Sequence, residues 1–241
     1  MIKNLKVPDD SRLFFVSDLH GEIDSLDQAL ELLKFKVGKD VVVHAGDLVD
    51  RGTDSYKTAA RFLTDATGSF HSSRGNHDQF AVDGTNNVGI WHMNGGEWAT
   101  KMFDHEQLQT FSEMMDVLPY AIEVEYRGKR IGVVHAEVGE EYPSWQDFLQ
   151  RLPEGKNKEV AIWSRKILYG ATTNNFKEHL DGIDFTVHGH TVIDRPEIIG
   201  NRVYIDIGHV FGRPLVVAEF IGNEFVFYIY KDGKITVFEG Y

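Results

Sequence analysis

The sequence predicts a mixed α/β (α+β) fold, read as one domain over residues 1–241. Three observations carry this prediction. Short apolar runs end repeatedly in loops of Gly, Asp, His and Asn, and an amphipathic segment of helical period joins the first two runs. From Tyr120 onward the hydrophobic period shifts towards two, with turn residues between the runs. No Pro/Ser-rich linker and no internal repeat divides the chain.

Residues 12–17, Arg-Leu-Phe-Phe-Val-Ser, form a short buried strand that delivers Asp18-Leu-His20-Gly21-Glu22. Over 23–34, Ile23, Leu26, Leu30 and Leu33 recur at helical spacing with charges between them. The β-branched run Val41 to Val43 within 40–45 is the next strand, and it drops through Gly46 into Asp47, Asp50, Arg51 and Gly52. Strand, helix, strand in this order is a βαβ start with a parallel pair. Residues 53–65 follow as a helix, with Thr53 or Asp54 as N-cap and Tyr56, Ala59, Ala60 and Leu63 facing inward. Segment 69–73 leads to the third polar loop, Arg74-Gly75-Asn76-His77-Asp78.

The Gly- and Asn-rich residues 84–96 read as an irregular surface excursion, and 97–117 as one or two helices ending before Pro119. Trp91, Trp98, Met102 and Phe103 read as packing rather than ligand stacking. Alternation over 120–126, a turn at Gly128-Lys129, and 131–134 make a hairpin that delivers His135. Residues 139–157 read as loop with a short helix, and 158–168 as a helix carrying Trp163 and Arg165. Strand 184–187 delivers His188-Gly189-His190-Thr191. The remainder is β, at about 202–207, 214–220, 224–230 and 234–238, with turns at Gly222-Asn223 and Asp232-Gly233.

Composition narrows the chemistry. With 25 Lys plus Arg against 37 Asp plus Glu the formal charge is −12, which argues against a nucleic-acid partner that needs a basic surface. With no cysteine, any metal must be held by His, Asp, Glu or Asn. No apolar run approaches membrane-spanning length and no secretory leader pattern opens the chain, so the expected setting is the cytosol, away from membranes.

The pattern to explain is repetition. Five strand ends each deliver a residue able to bind a hard or borderline divalent ion: Asp18 and His20, Asp47, Asn76, His135, and His188 or His190. Carboxylate, imidazole and amide oxygen without thiolate suit Mn, Fe, Zn or Ni. Of the 11 histidines, His44, His71, His105 and His179 read as packing or surface residues.

Asp18-x-His20-Gly21, Gly46-Asp47-x-x-Asp50-Arg51-Gly52 and Arg74-Gly75-Asn76-His77-Asp78 resemble the signature of the metal-dependent phosphoprotein phosphatases. His135 in Val-His-Ala and His190 in Gly-His-Thr fit the two later histidines of that family. Trp163-Ser-Arg165 and Tyr204-Ile-Asp206-Ile-Gly208 also resemble its compact phage and bacterial Ser/Thr members, and the likeness runs from about residue 12 to 215. It implies a four-layer metallophosphoesterase β-sandwich flanked by helices. It also implies two divalent ions, Mn²⁺ first among the candidates: Asp18 and His20 on one, Asp47 bridging, and Asn76, His135 and His190 on the second. Arg51 and Arg165 would grip phosphate oxygens, with Arg74 a weaker candidate that could instead pair with a carboxylate. The implied partner is a phosphorylated protein or peptide.

The chemistry asks for these residue types. A phosphate monoester dianion repels nucleophiles, and two metals roughly 3.5–4 Å apart neutralise it and lower the pKa of a water between them. The resulting metal-bridging hydroxide attacks phosphorus in line, with no phosphoenzyme. The leaving alkoxide is strongly basic and needs a proton, which His77 is placed to give, oriented by Asp50.

Asp78 stands where the family usually has Glu, and His209 follows Gly208 where a small residue would be less conspicuous. The Gly-His-Thr match favours His190 over His188 as the ligand. A dinucleoside polyphosphate or small-molecule hydrolase of the same fold is the alternative reading, because such enzymes share these loops. A catalytically silent binding module is disfavoured because His77 and every ligand are present. A phosphodiesterase is disfavoured because Val192 stands where Gly-His-x-His would place a histidine.

Overall fold

The run at 13–16 has no polar residue to show to water, and it lies at the centre of the molecule. In the computed structural model, which describes residues 1–173 and 176–240, the chain begins with β1 (Ile2–Lys6), β2 (Leu13–Val16), α1 (Ile23–Leu32), β3 (Val41–His44), α2 (Ser55–Leu63), β4 (Phe70–Ser72) and α3 (Asn76–Asp83). Three helices follow: α4 (Val88–Met93), α5 (Glu97–Met102) and α6 (His105–Met115). Next come β5 (Ala121–Tyr126), β6 (Lys129–Val133), α7 (Trp145–Arg151), α8 (Gly155–Trp163), β7 (Phe185–His188), β8 (Glu197–Ile199) and β9 (Arg202–Tyr204). The chain closes with β10 (Leu215–Ile221), β11 (Glu224–Lys231) and β12 (Lys234–Val237). Among the described residues, no helix is long and apolar enough to cross a membrane.

The strands form two six-stranded sheets, ordered β1-β5-β6-β7-β9-β8 and β12-β11-β10-β2-β3-β4. Every residue of β2 and β3 is buried, and successive side chains go to opposite faces. Leu13, Phe15, Val41 and Val43 fill the core between the sheets, with Val133, Val187 and Val203 opposite. Phe14, Val16 and Val42 instead meet α1, α2 and α6 through Leu26, Phe62 and Phe111. On the outer face of the other sheet, Ala121 and Val134 pack beneath Trp145, Phe148 and Ile162 of α7 and α8. This is the four-layer sandwich the resemblance implies. Each such aromatic or aliphatic side chain taken out of water contributes roughly 1.5–3 kcal/mol.

Register sets the site. β2, β3 and β4 run parallel with Val16 opposite His44 and His44 opposite Ser72, so their C-terminal loops leave the sheet side by side. In the other sheet β6, β7 and β9 run parallel with Val133, Val187 and Val203 in line.

Several sequence expectations are corrected. Residues 84–96 are largely helical, and Trp91 is fully buried there, because α4 packs into the core against α3. Trp91, Trp98 and Phe103 do pack, but Met102 is exposed. On α2 the inward face is Thr58, Ala59 and Phe62, while Tyr56 is exposed on one side and meets Phe103 and Phe111 edgewise. Phe62 turns the helix this way by packing on His44 and Phe70. The hairpin turn falls at Arg127-Gly128, both with positive φ as a tight hairpin turn needs, one residue earlier than expected. Helix α8 ends at Trp163, which leaves Arg165 beyond it in the following segment. Strands β1 and β8 were not anticipated; both are short edge strands.

Candidate active site

The loops after β2, β3, β4, β7 and β9 converge on a cavity of about 350 Å³ lined by Asp18, His20, Asp47, Asn76, His77 and His190, with Arg51 and Arg165 on its wall. His135, after β6, is fully buried beside it, 2.7 Å from Ala45 O and 3.0 Å from Asn76 Oδ1. The backbone is bent to bring these groups in. Of nine described non-glycine residues with positive φ, six are Asp18, His20, Asp47, Asp50, Arg51 and His190. The other three, Lys34, Arg127 and Asp232, lie at a helix end and at hairpin turns. Left-handed backbone concentrated in one place marks a site where geometry is imposed. Gly75 allows the closest approach, since a Cβ there would lie 2.1 Å from Asp47 Oδ1.

Asp47 is the common member of two donor groups. His20, Asp47 and His77 offer ligand atoms within 4.8 Å of one another, and so do Asp47, His135 and His190. Its Oδ2 lies 3.5 Å from His20 Nε2 and 3.4 Å from His135 Nε2, while Oδ1 accepts the His77 backbone N–H at 2.8 Å. Asp78 supports this loop directly, accepting the backbone N–H groups of Asp47, Leu48 and Gly75 at 2.8–2.9 Å. The shorter side chain thus binds backbone rather than leaving a gap. His20 Nδ1 donates to Val49 O at 2.8 Å, which leaves Nε2 facing Asp47; His190 Nε2 is held by Trp163 O at 3.2 Å, which leaves Nδ1. Asp18 accepts the His190 backbone N–H at 3.0 Å and so joins the two sheets across the site.

Electrostatics favour a bound cation. Asp18, Asp47 and Asp206 are buried around one cavity, and among the described residues none has a lysine or arginine at ion-pair distance. Burial, reinforced by Asp206, pushes Asp18 well above the usual carboxylate range, and burial raises Asp206 to about 6. Asp47 is opposite: burial works against its charge, yet His135, His77 and His20 hold it well below that range. Burial lowers His20 and His190 to about 3, so both are neutral, the form that ligates a metal. Burial opposes charge on His135 as well, but Asp47 and Asp18 raise it to about 10. Buried carboxylates without a lysine or arginine partner, beside neutral His20 and His190 and a His135 whose proton a cation would displace, with no thiolate, make a donor set that fits a divalent ion.

Around this centre lie groups suited to an anion and to proton transfer. Arg165 Nε is buried without a partner and Nη2 reaches only His190 O at 3.4 Å. Arg51 Nη1 lies 3.1 Å from His20 Nε2, the nitrogen a metal would use, and its guanidinium sits over Phe211. His77 Nδ1 is 2.8 Å from Asp50 Oδ2, and both residues are buried. Arg74 is not in the cavity; it pairs with Asp116 and with Leu118 O. His188 is also outside, bonded to Val134 O and Thr186 Oγ1 and stacked on Tyr204. His209 bonds Arg213 O and does not line the cavity.

Sequence reasoning missed four residues. Asp206 was legible as another strand-end acid in Tyr204-Ile-Asp206-Ile-Gly208. Glu137, fully buried, accepts from Ser164 Oγ and Ile167 N and so anchors the segment that carries Arg165. Trp91 and Trp98 donate to Asp50, a pairing across more than forty residues that local pattern cannot reveal.

Comparison with known proteins agrees with this architecture. The calcineurin-like phosphoesterase family profile matches residues 11–194. The chain is 31% identical over 210 residues to serine/threonine-protein phosphatase 1 of Salmonella typhimurium, covering 86% of this chain and 90% of that one. It is 23% identical to the asymmetrical bis(5'-nucleosyl)-tetraphosphatase of Oceanobacillus iheyensis, covering 89% and 91%. The crystal structure of a putative diadenosine tetraphosphatase superposes with a TM-score of 0.68 at 20% identity, covering 95% of this chain and 99% of that one.

Proposed function

The chain belongs to the calcineurin-like phosphoesterase family, and on that premise we propose that it is a metal-dependent phosphomonoesterase acting on phosphoserine and phosphothreonine in proteins or peptides. The observation that carries this reading is the 31% identity, over 86% of this chain, to serine/threonine-protein phosphatase 1 of Salmonella typhimurium. The buried Asp50–His77 pair, 2.8 Å apart, with His77 in one of two donor groups that share Asp47, supplies the proton donor such a reaction needs. An alkyl phosphate leaves as a strongly basic alkoxide, so its hydrolysis gains most from a proton donor set beside the reacting phosphate. A dinucleoside polyphosphate leaves as a nucleotide phosphate, a weaker base, so the pair matters less to that reaction although both enzyme classes share the loops that carry it.

The residues then take these parts. Asp18, His20 and Asp47 would hold one divalent ion, and Asp47, Asn76, His135 and His190 the other, with Mn²⁺ as the proposed metal. Bound there, the ions supply positive charge against the phosphate and make water a nucleophile at neutral pH. His20 Nε2 cannot serve both a cation and Arg51, so a cation there would free the guanidinium for the phosphate. Arg165, with a buried unpartnered Nε, adds a second fork for the non-bridging oxygens. With Nδ1 committed to Asp50, His77 Nε2 gives its proton to the leaving oxygen as the P–O bond breaks. Water takes the phosphoryl group directly, without a phosphoenzyme.

Dinucleoside polyphosphate hydrolysis is the second reading, favoured by the near full-length match to the Oceanobacillus iheyensis enzyme. Rates on phosphoserine and phosphothreonine peptides, a phosphotyrosine peptide and diadenosine tetraphosphate, measured after metal stripping and after Mn²⁺ addition, separate the two. Mn²⁺-dependent kcat/KM well above the dinucleotide value on the phosphoserine and phosphothreonine peptides is expected. The reverse ranking would move the assignment to nucleotides.

A further inference from the structure

Three N–H donors converge on the carboxylate of Asp50, and only one of them belongs to His77. Trp91 Nε1 donates to Oδ1 at 2.9 Å and lies 3.1 Å from Oδ2; Trp98 Nε1 donates to Oδ1 at 2.9 Å. Asp50 and Trp91 are both fully buried. The two indoles meet edge to face with centroids 6.1 Å apart, and Trp98 packs edgewise on Phe103 and Phe111 of the α6 layer. Between them, Asn94-Gly95-Gly96 passes so close that a Cβ at Gly96 would lie 2.1 Å from the Trp91 ring. Helices α4 and α5 thus carry both indoles to one point in the wall of the site.

An indole N–H satisfies a buried carboxylate oxygen without adding charge. Two on Oδ1, fixed by packing, set the plane of the carboxylate and leave Oδ2 to hold the imidazole at 2.8 Å. Without them the carboxylate can rotate, and the ring it steers turns with it. We propose that Trp91 and Trp98 are positioning residues that clamp Asp50, and through it aim His77 Nε2 at the leaving oxygen. This rests on the reading of His77 as proton donor: the P–O bond breaks, the Nε2 proton passes to the leaving oxygen, and neutral His77 keeps its Nδ1–H on Asp50.

The test compares leaving groups. Trp98→Phe, Trp91→Phe and His77→Asn are assayed, metal-loaded, on a phosphoserine peptide and on p-nitrophenyl phosphate, whose leaving phenolate is a weak base. Trp98→Phe is expected to lower kcat on the peptide by roughly tenfold, the worth of one hydrogen bond to a charged group, and on p-nitrophenyl phosphate by far less, with both KM values unchanged. His77→Asn should show the same split, larger. Equal losses on both substrates, or no loss, for Trp98→Phe would overturn the clamp. If Trp98→Phe fails while His77→Asn splits, the clamp is wrong and the proton donor stands; if His77→Asn does not split, both fall. Trp98 is only half-buried, so its variant decides the matter even if Trp91→Phe does not fold.

A readout independent of turnover comes from the metal-free chain. Asp50→Asn should move the indole N–H proton resonances of Trp91 and Trp98 upfield and leave Trp145, which donates to Glu123, in place. Unmoved Trp91 and Trp98 resonances would contradict the clamp.

Discussion

His188 and His190 stand two residues apart, yet one is wall and the other is site. Both are buried and both are pushed down to about 3 by burial. His188 spends its two nitrogens on Val134 O and Thr186 Oγ1, whereas His190 has Nε2 on Trp163 O and groups with Asp47 and His135. Gly-His-Thr singles out His190 in the sequence, and His190 lines the cavity; the stacking on Tyr204 that keeps His188 out of it did not show there. Arg165 is the residue whose surroundings leave it unfinished, with a buried Nε lacking any partner. Arg165→Ala should therefore raise KM for phosphopeptide and the inhibition constant of inorganic phosphate by about tenfold or more, the scale of a lost bond to a charged group. The thermal midpoint should stay put. Unchanged phosphate inhibition would remove Arg165 from the site.

Elements position these residues from a distance. The segment after α8 carries Arg165, and Glu137 from the loop after β6 holds it through Ser164 Oγ at 2.6 Å and Ile167 N at 2.9 Å. Glu137→Ala leaves those buried donors without a partner, at a cost of about 1–3 kcal/mol. It is expected to lower the thermal midpoint by several degrees and to raise KM more than it lowers kcat, checked by calorimetry and steady-state rates; a KM equal to wild type would show that Glu137 does not govern Arg165. Strand ends and their polar loops were readable because apolar runs and acid-rich turns are local patterns. The helical character of 84–96 was not, because its Gly and Asn residues look like loop. Gly95 is there for its contact with Arg51, which is remote in sequence, and Gly96 for its close approach to the Trp91 ring five residues before it. The end of α8 at Trp163 was missed for the same reason, since Glu137 draws the chain out of the helix.

The whole molecule is two sheets whose aligned strand ends aim their loops at one cavity, and its interior holds neutral histidines that tie stability to pH. Burial lowers His44, on β3, to about 3, and His71, on β4, to about 4, with Lys3 adding to the second. Unfolded histidine titrates near 6.5, so between that pH and the folded value the unfolded chain binds protons that the folded one refuses. Stability of the metal-free protein should fall as pH drops below 6.5, by up to ~1.4 kcal/mol per pH unit from His44. His44→Gln should flatten that slope in urea unfolding at pH 7 and pH 5; an unaltered slope would assign the acid loss to other groups. The central claim, that one carboxylate joins two metal sites, is tested most directly by titrating the metal-stripped chain with Mn²⁺ while recording its electron paramagnetic resonance. Two ions per chain with a spin-coupled spectrum, and loss of coupling with at least one site emptied in Asp47→Asn, are the predicted results. Binding of a single ion, or two uncoupled ions indifferent to Asp47→Asn, would contradict it.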